Sequence, residues 1–304
     1  MKLLSFEIGG QQRLGLMKDE NIIIDVQLWG KNLGSDFPSS MLDLIDRGED
    51  FWGQLTGKAE NLSEGQLEDA THTLDEVKIL APIPRPRKNI FGIGLNYTEH
   101  VAESARALDT SNQLPKQCII FSKPPTTVIA TGEAIRHNGN VTKQMDWEGE
   151  LAVIIGKKGF RISKDNAMDH VFGYSIINDI SARDCRRSGQ WIVSKGMDTF
   201  APMGPFLLTK NDIPDPHNLD IVTKVNGVEK QNGNTKFMLF NIPAIIEDIS
   251  KVISLEPGDI IASGTPAGVG AGRDPQEWMW PGDEVEVTIS GIGTLKNHIV
   301  DDTY

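Results

Sequence analysis

Short apolar runs separated by tight-turn dipeptides dominate the chain from Asn89 onward, and this pattern restricts the fold more than any other feature. The turn dipeptides are Asn138-Gly139, Asn226-Gly227, Asn232-Gly233, Pro257-Gly258 and Pro281-Gly282. Such pairs favour the backbone angles of tight turns between strands. The clearest helical spacing in this part of the chain lies in Asn241–Ser254. Because helices are sparse, a doubly wound parallel sheet is disfavoured, and we expect an α+β fold that is mainly β.

The first part of the chain predicts a separate small α+β domain. Three β-like runs, Leu3–Ile8, Arg13–Met17 and Ile22–Val26, suggest a meander, and Met41–Leu55 has the apolar spacing of a helix. The proline-rich segment Pro82–Pro86 then reads as an extended connector. At 304 residues the chain is long for one typical domain. We therefore predict a small N-terminal domain over residues 1–78 and a larger, mainly β domain over residues 79–304.

Charge and cysteine content limit the classes of partner. The net charge of −12 argues against nucleic acid or an anionic membrane as the main partner, although a small anionic substrate remains compatible with it. The two cysteines, Cys118 and Cys185, are too few for a disulfide scaffold and fit a reducing compartment. No apolar run reaches the length of a membrane span, and the N-terminus has no signal-peptide pattern. We expect a cytoplasmic protein.

Three carboxylates form the strongest chemical pattern. Glu148 and Glu150 are two residues apart and lead into an apolar run, so both should project from one side of a strand. Asp179 ends a second β-like run, Val171–Ile177. Oxygen ligands of this kind favour Mg²⁺, Mn²⁺ or Ca²⁺ over Zn²⁺. Acidic pairs are also common on solvated strand faces, so spacing alone leaves metal binding and a plain surface as alternatives.

Two other clusters have a functional and a structural interpretation. If residues 98–103 are helical, His100 and Glu103 are neighbours on one face and could form a general base, or they are an exposed pair without a role. The glycine-rich segment Ser263–Gly270 could hold a carboxylate through backbone N–H groups, or it is only a tight loop. Cys185 has no histidine near it in sequence, which favours a structural thiol.

Six segments, in this order, resemble the fumarylacetoacetate hydrolase family over about residues 80–300. They are Asn89–Glu103, Phe121–Pro124, Asp146–Glu150, Asn178–Asp184, Lys195–Thr199 and Gly258–Pro266. The resemblance implies a β-sandwich roll as the catalytic domain, a homodimer, and Mg²⁺ or Mn²⁺ at the site, with Ca²⁺ as a third option.

The resemblance also implies roles for individual residues. The implied metal ligands are Glu148, Glu150 and Asp179, and the implied catalytic residues are His100, Glu103 and Lys195. The implied substrate-binding residues are Lys123, Arg183, Arg186, Gly264 and Thr265. Arg186 departs from the glutamine that the family commonly has there, and a fixed cation at this position suggests a smaller or more anionic substrate or a changed hydrogen-bond pattern. The segment 97–112 is expected to act as a mobile lid.

The leading functional hypothesis is hydrolysis of a C–C bond in a 2,4-dioxo acid of the acylpyruvate or fumarylpyruvate type. His100, oriented by Glu103, would activate water, while the metal and Lys195 stabilise an enolate. The alternative on the same fold is oxaloacetate decarboxylation or keto–enol tautomerisation of a 2-oxo acid. A minor alternative is a non-catalytic carboxylate-binding protein. The expected partner is a small anionic 2-oxo acid rather than nucleic acid or a membrane.

Overall fold

Most of the regular structure in the computed structural model, which describes residues 1–107, 113–187 and 189–303, is strand. The helices are α1 (Val26–Asn32), α2 (Met41–Asp46), α3 (Gly48–Glu60), α4 (Thr98–Ala107), α5 (Ile192–Lys195) and α6 (Ile242–Ser250). The strands are β1 (Lys2–Ile8), β2 (Gln11–Met17), β3 (Ile22–Asp25), β4 (Thr71–Thr73), β5 (Lys78–Leu80), β6 (Ile90–Gly94), β7 (Ile119–Lys123), β8 (Val128–Ile129), β9 (Ala134–His137), β10 (Met145–Asp146), β11 (Gly149–Ile155), β12 (Val171–Asn178), β13 (Ser181–Ala182), β14 (Ala201–Pro202), β15 (Leu207–Thr209), β16 (Asp220–Val225), β17 (Val228–Asn234), β18 (Ile260–Ala262), β19 (Glu284–Ile289) and β20 (Gly293–Asp301). The predicted α+β class with mainly β structure is confirmed.

One large sheet joins the N-terminal strands to strands from the later part of the chain. Its strand order is β4-β3-β2-β1-β15-β12-β11-β18-β6-β7, and β5 also pairs with β1. The predicted N-terminal meander is confirmed by the antiparallel pairs β1–β2 and β2–β3. Strand β1 continues the sheet by pairing with β15 through Lys2 and Leu3. The predicted boundary between residues 78 and 79 is therefore not marked by a separate sheet, and it stays a prediction.

A second sheet packs on the large one and encloses the main core. Its order is β17-β16-β19-β20-β9, and two short pairs, β10–β13 and β8–β14, lie outside both sheets. Strand β11 is buried along its whole length. Leu151 and Val153 face the core shared with β16, β19 and α6, whereas Ala152 and Ile154 face the core beneath the N-terminal helices. Burial on both faces explains the continuous apolar run, which a half-exposed strand would not need.

The prediction of one continuous helix over Met41–Leu55 is wrong. The structure has two helices there, α2 and α3, separated at Arg47. Gly48 begins the second helix with φ 78°, a left-handed conformation that a glycine adopts without strain. Trp52 of α3 packs against Phe172 of the large sheet at a ring-centroid distance of 4.7 Å, so the break turns α3 onto the sheet.

Local turn chemistry explains where other predictions hold and where they fail. Asn226-Gly227 forms the two-residue turn between β16 and β17, and both residues have positive φ, as predicted. Asn232-Gly233 is not a turn, because it lies inside β17, where Pro266 packs in the space that a side chain at Gly233 would need. Helix α6 begins after Asn241, whose side chain accepts a hydrogen bond from Ala244 N at 3.1 Å.

Helix α4 begins the segment that the sequence predicted as a lid. The part of that prediction that concerns residues 108–112 lies outside the described residues. None of the described helices is long and apolar enough to cross a bilayer.

Candidate active site

The pairing of β11 with β12 brings the three predicted carboxylates together. The antiparallel register sets Gly149 opposite Asn178 and Glu150 opposite Ile177, so Asp179, the residue after β12, comes opposite Glu148 and donates its N–H to Glu148 O at 2.8 Å. One oxygen from each carboxylate lies within 4.8 Å of the others, and all three side chains are buried. The one-face projection inferred from the spacing is therefore confirmed, and the group could hold a divalent cation.

Two basic side chains surround Glu148. Lys195 Nζ lies 2.7 Å from Glu148 Oε2 and 2.7 Å from Asp179 Oδ2. Arg183 Nη2 lies 2.6 Å from Glu148 Oε1. Burial by itself would raise the pKa of Glu148, but Lys195 and Arg183 outweigh burial and hold this pKa below its usual value. Glu148 is thus charged, with each of its oxygens beside a basic side chain.

The charge of Glu150 is balanced far less than that of Glu148, and its surroundings indicate whether a metal fits the site. Its Oε2 accepts a hydrogen bond from Gly264 N at 2.8 Å, while its Oε1 is buried without a hydrogen-bond partner in the described part of the chain. Burial first, then the charges of Asp179 and Glu148, raises the pKa of Glu150 well above its usual value. A buried acceptor oxygen without a donor, beside two more carboxylates, has the chemistry of a site for a hard divalent cation.

Lys123 lies behind the carboxylates, which differs from the substrate contact expected for it. The side chain is fully buried, and Nζ donates to Asp179 Oδ1 at 2.6 Å, to Ile180 O at 3.2 Å and to Lys195 O. These three bonds use all the donors of an ammonium group. Lys123 therefore orients Asp179 and has no N–H left for a substrate.

His100 and Glu103 meet on α4 as the helical spacing predicted. His100 Nδ1 lies 3.1 Å from Glu103 Oε2, and both side chains are more than nine-tenths buried. Gly268 N donates to both carboxylate oxygens of Glu103, at 3.0 and 3.2 Å. Because Nδ1 is engaged, Nε2 is the ring nitrogen that remains available on the cleft side.

The hydroxyl of Thr265 is already engaged within the protein. It donates to Gly149 O at 3.0 Å and accepts a hydrogen bond from Gln231 Nε2 at 2.7 Å. Gly264, with φ 100°, turns its N–H toward Glu150. The predicted glycine-rich turn therefore donates a hydrogen bond to Glu150 of the triad, and Thr265 lines the cleft.

A cleft of about 500 Å³, part of it open to solvent, joins these groups. Its lining residues are Ile93, Gly94, Leu95, His100, Glu148, Arg183, Arg186, Trp191, Ser194, Lys195 and Thr265. Thus six predicted residues meet at one surface, while Glu103, Lys123, Glu150, Asp179 and Gly264 lie outside that lining. Trp191 and Leu95 were not predicted. Trp191 had no local sequence signal, and the φ of 55° at Leu95 follows from the turn after β6.

Arg186 faces this cleft without a carboxylate partner among the described residues. Its guanidinium lies 5.2 Å from the centre of the Trp191 ring, a cation–π distance. Half-burial and the nearby positive charge of Arg183 lower the pKa of Arg186. Its charge is thus held in the cleft by an aromatic ring, and an anion could bind it.

Comparisons with known proteins agree with this geometry. Residues 89–300 match the family model described as fumarylacetoacetate (FAA) hydrolase C-terminal. The chain is 43% identical over 304 residues to oxaloacetate tautomerase YisK of Bacillus subtilis (strain 168), with 98% of this chain and 100% of the relative covered.

Solved structures extend the likeness to the whole fold. A fumarylacetoacetate hydrolase from psychrophilic Exiguobacterium antarcticum superposes with a TM-score of 0.80 at 36% identity, covering 99% of each chain. Maleylpyruvate hydrolase from Sphingobium sp. SYK-6, in complex with manganese(II) ion and pyruvate, gives a TM-score of 0.77 at 28% identity, again over 99% of each chain. This chain is therefore an enzyme of the fumarylacetoacetate hydrolase family.

Proposed function

We propose that this enzyme interconverts the keto and enol forms of a small 2-oxo dicarboxylate, of which oxaloacetate is the simplest. The observation that carries the proposal is the cleft itself, which is lined by Glu148 of the carboxylate triad, by one histidine and by an arginine that has no carboxylate partner among the described residues. The whole-chain similarity to an oxaloacetate tautomerase supports the same choice. This reaction is one of the alternatives that the sequence left open.

Glu148, Glu150 and Asp179 would hold the cation, with Mg²⁺ and Mn²⁺ as the proposed metals. Their oxygen-only donor set suits both ions, and Ca²⁺ has the same ligand preference. The cation supplies Lewis-acid polarisation of the 2-oxo group when bound. The manganese in the related maleylpyruvate hydrolase favours Mn²⁺ as the first metal to test.

His100 is the proposed base. Its Nε2 would take a proton from the carbon next to the 2-oxo group and return a proton to the oxygen, so atoms and charge balance in the tautomerisation. Glu103 holds the ring through Nδ1, which fixes the tautomer that this step needs. Lys195 borders the cleft and would offset the negative charge that develops on the enol oxygen.

Arg186 is the proposed partner of the second substrate carboxylate. Arg183 is committed to Asp146 at 2.8 Å and to Glu148, whereas Arg186 has no carboxylate partner in the described ranges. A guanidinium matches a carboxylate in shape and charge. This assignment favours a compact dicarboxylate over an acylpyruvate with a neutral tail.

Hydrolysis is the second candidate, because the His100–Glu103 pair could serve it as well. A base that removes a carbon-bound proton could also activate water, and a related enzyme is a maleylpyruvate hydrolase. Decarboxylation of oxaloacetate needs the cation and Lys195 but no base for water. The three reactions therefore differ in their products, and decarboxylation differs from the other two in not needing His100.

A homodimer is the proposed assembly. Strand β7 lies at the edge of the large sheet, and its Ile120 shares a surface groove with Ile192 and Ile253. These three apolar side chains are exposed in the single chain. Light scattering after gel filtration would measure the mass, and a monomer at micromolar concentration would contradict the dimer. The cytoplasmic location stays a prediction.

The test compares products with Mn²⁺ present. Tautomerisation is followed by the ultraviolet absorbance of enol oxaloacetate, and pyruvate release from oxaloacetate and from an acylpyruvate reports decarboxylation and hydrolysis. We expect tautomerisation to be the fastest of the three. Pyruvate release at an equal or higher rate would instead assign a lyase or a hydrolase.

Arg186→Gln tests the substrate class, and Arg187→Gln is the matched control. Arg187 is exposed and lies outside the cleft lining. Loss of one charge-assisted hydrogen bond, about 1.5–3 kcal/mol, should lower kcat/KM for oxaloacetate roughly tenfold or more and spare an acylpyruvate. Equal effects of the two substitutions would contradict the assignment of Arg186.

A further inference from the structure

Asp146 is a fully buried carboxylate that lies outside the cleft lining. It contacts Arg183, which lies beside the triad, and the loop of residues 268–272, which lies beside Glu103. Its Oδ1 accepts hydrogen bonds from Gly270 N at 2.6 Å and from Trp147 N at 2.8 Å. Its Oδ2 accepts from Ala271 N at 3.0 Å and from Arg183 Nε at 2.8 Å. We infer that Asp146 is a positioning residue that fixes the carboxylate triad and the His100–Glu103 pair relative to each other.

The connection to the triad goes through Arg183. A guanidinium is planar and rigid, so the bond that Asp146 makes to Nε also sets the direction of Nη2. Nη2 lies 2.6 Å from Glu148 Oε1 and thereby orients one member of the triad. Asp146 also neutralises the arginine, which would otherwise compete more strongly with a cation for Glu148.

The connection to the base goes through the loop of residues 268–272. Asp146 holds this loop through Gly270 and Ala271, and the indole Nε1 of Trp147 donates to Gly268 O at 3.1 Å. The same loop donates Gly268 N to the Glu103 carboxylate. At Gly272 a side chain would overlap the Glu103 carboxyl group, so the loop is fitted closely against α4.

Asp146 and Trp147 thus support both the carboxylate triad and the His100–Glu103 pair. The base and the cation site must keep a fixed separation for a proton to move at a carbon next to a polarised carbonyl. Substituting a residue that orients a metal ligand in this way typically lowers metal affinity or activity about 10–100-fold.

Asp146→Asn in the full-length protein removes the charge with little change in shape. We expect Mn²⁺ affinity, measured by calorimetry, to fall about tenfold and the amides of residues 268–271 to exchange faster. Trp147→Phe removes the bond to the loop together with part of a buried ring but leaves Asp146 and Arg183 in place. Exchange should therefore rise while Mn²⁺ affinity stays within about twofold of the unsubstituted protein.

Asp259→Asn is the matched control. Asp259 is also a buried carboxylate that accepts from a backbone N–H, at 2.8 Å, and pairs with a lysine, but its partners, Glu256 and Lys88, belong neither to the cleft lining nor to the loop of residues 268–272. It should change neither the Mn²⁺ affinity nor the exchange of residues 268–271. The inference is overturned if Asp146→Asn behaves like this control. If Asp146→Asn does not fold, unchanged exchange in Trp147→Phe overturns it.

Catalytic coupling is tested by combining Asp146→Asn with Glu103→Gln, a readout that rests on the proposed tautomerase function. The two carboxylates are not in contact, so independent roles would make the losses in kcat multiply. We expect the double variant to lose no more than about threefold beyond the slower single variant. Multiplying losses overturn the connection to Glu103. If the unsubstituted enzyme shows no tautomerase activity, the proposed function fails, and the Mn²⁺ and exchange measurements still decide the role of Asp146.

Discussion

Replacing Glu150 by glutamine should stabilise the metal-free protein and abolish its stabilisation by metal. Glu150 is completely buried, and one of its oxygens has no hydrogen-bond partner in the parts of the chain that the structure describes. In the variant an amide N–H₂ group replaces the unpaired acceptor and can donate to the neighbouring carboxylates of Glu148 and Asp179. An unsatisfied buried polar group costs about 1–3 kcal/mol, so the free energy of unfolding of the metal-free protein should rise by about that amount. At about 2–4 °C per kcal/mol, this gives a clear increase in Tm.

When Mn²⁺ is added, the unsubstituted protein should become more stable than Glu150→Gln. A ligand at about a thousand times its Kd stabilises the folded state by about 4.1 kcal/mol, which exceeds the gain of about 1–3 kcal/mol from the substitution, and only the protein with all three carboxylates should gain this in full. Thermal unfolding with EDTA and with Mn²⁺ measures both effects, with the exposed Glu229→Gln as control. A lower Tm for metal-free Glu150→Gln, or an equal shift by Mn²⁺, would refute the reasoning.

The pH dependence has a definite sign. Burial, then Asp179 and Glu148, raises the pKa of Glu150 above its ordinary value of 4.5. The folded metal-free protein therefore retains a proton that the unfolded chain releases, and Glu150 reduces stability as the pH rises from that value toward the folded pKa. The stability difference between Glu150→Gln and the unsubstituted protein should widen over this window.

Three further predictions concern single side chains. His100→Asn should lower the tautomerase rate about 10²–10⁴-fold while Mn²⁺ affinity, measured by calorimetry, is retained; a parallel loss of affinity would count against a base role. Lys195→Met should slow the reaction about 10²–10³-fold and tighten Mn²⁺ binding, because its ammonium group now contacts two of the three carboxylates; weaker binding would contradict this. Burial and the neighbouring Asp248 raise the pKa of the Cys118 thiol to about 12, so alkylation by iodoacetamide at about pH 8 should be roughly a thousandfold slower than for a thiol with the ordinary pKa of 9.0. Alkylation of the folded protein at the ordinary rate would show that this thiol is not shielded.

The sequence predicted best what depends on short spacing. The separation of Glu148 and Glu150 fixes a common strand face, and the separation of His100 and Glu103 fixes a common helix face. The family resemblance then supplied which distant segments meet. Neither argument could order the sheet, because the pairing of β1 with β15 joins residues about two hundred positions apart.

Long-range contacts explain the remaining differences. Lys123 was expected near the substrate, but its position behind Asp179 depends on carbonyl groups from two other segments. The support that Asp146 gives to residues 268–272 has no local signal, since its partners lie 37 to 125 positions away apart from its neighbour Trp147. The turn predicted at Asn232-Gly233 failed because packing of Pro266 made a glycine necessary inside a strand.

The most direct measurement is the rate at which enol oxaloacetate converts to the keto form as metal is removed and restored. The purified enzyme is assayed with Mn²⁺, after excess EDTA, and after Mn²⁺ is returned, with Glu150→Gln in parallel. We predict catalysis with Mn²⁺, a rate equal to the uncatalysed reaction with EDTA, and recovery on return of the metal only when Glu150 is present. Full catalysis in EDTA, or none under any condition, would contradict a metal-dependent tautomerase.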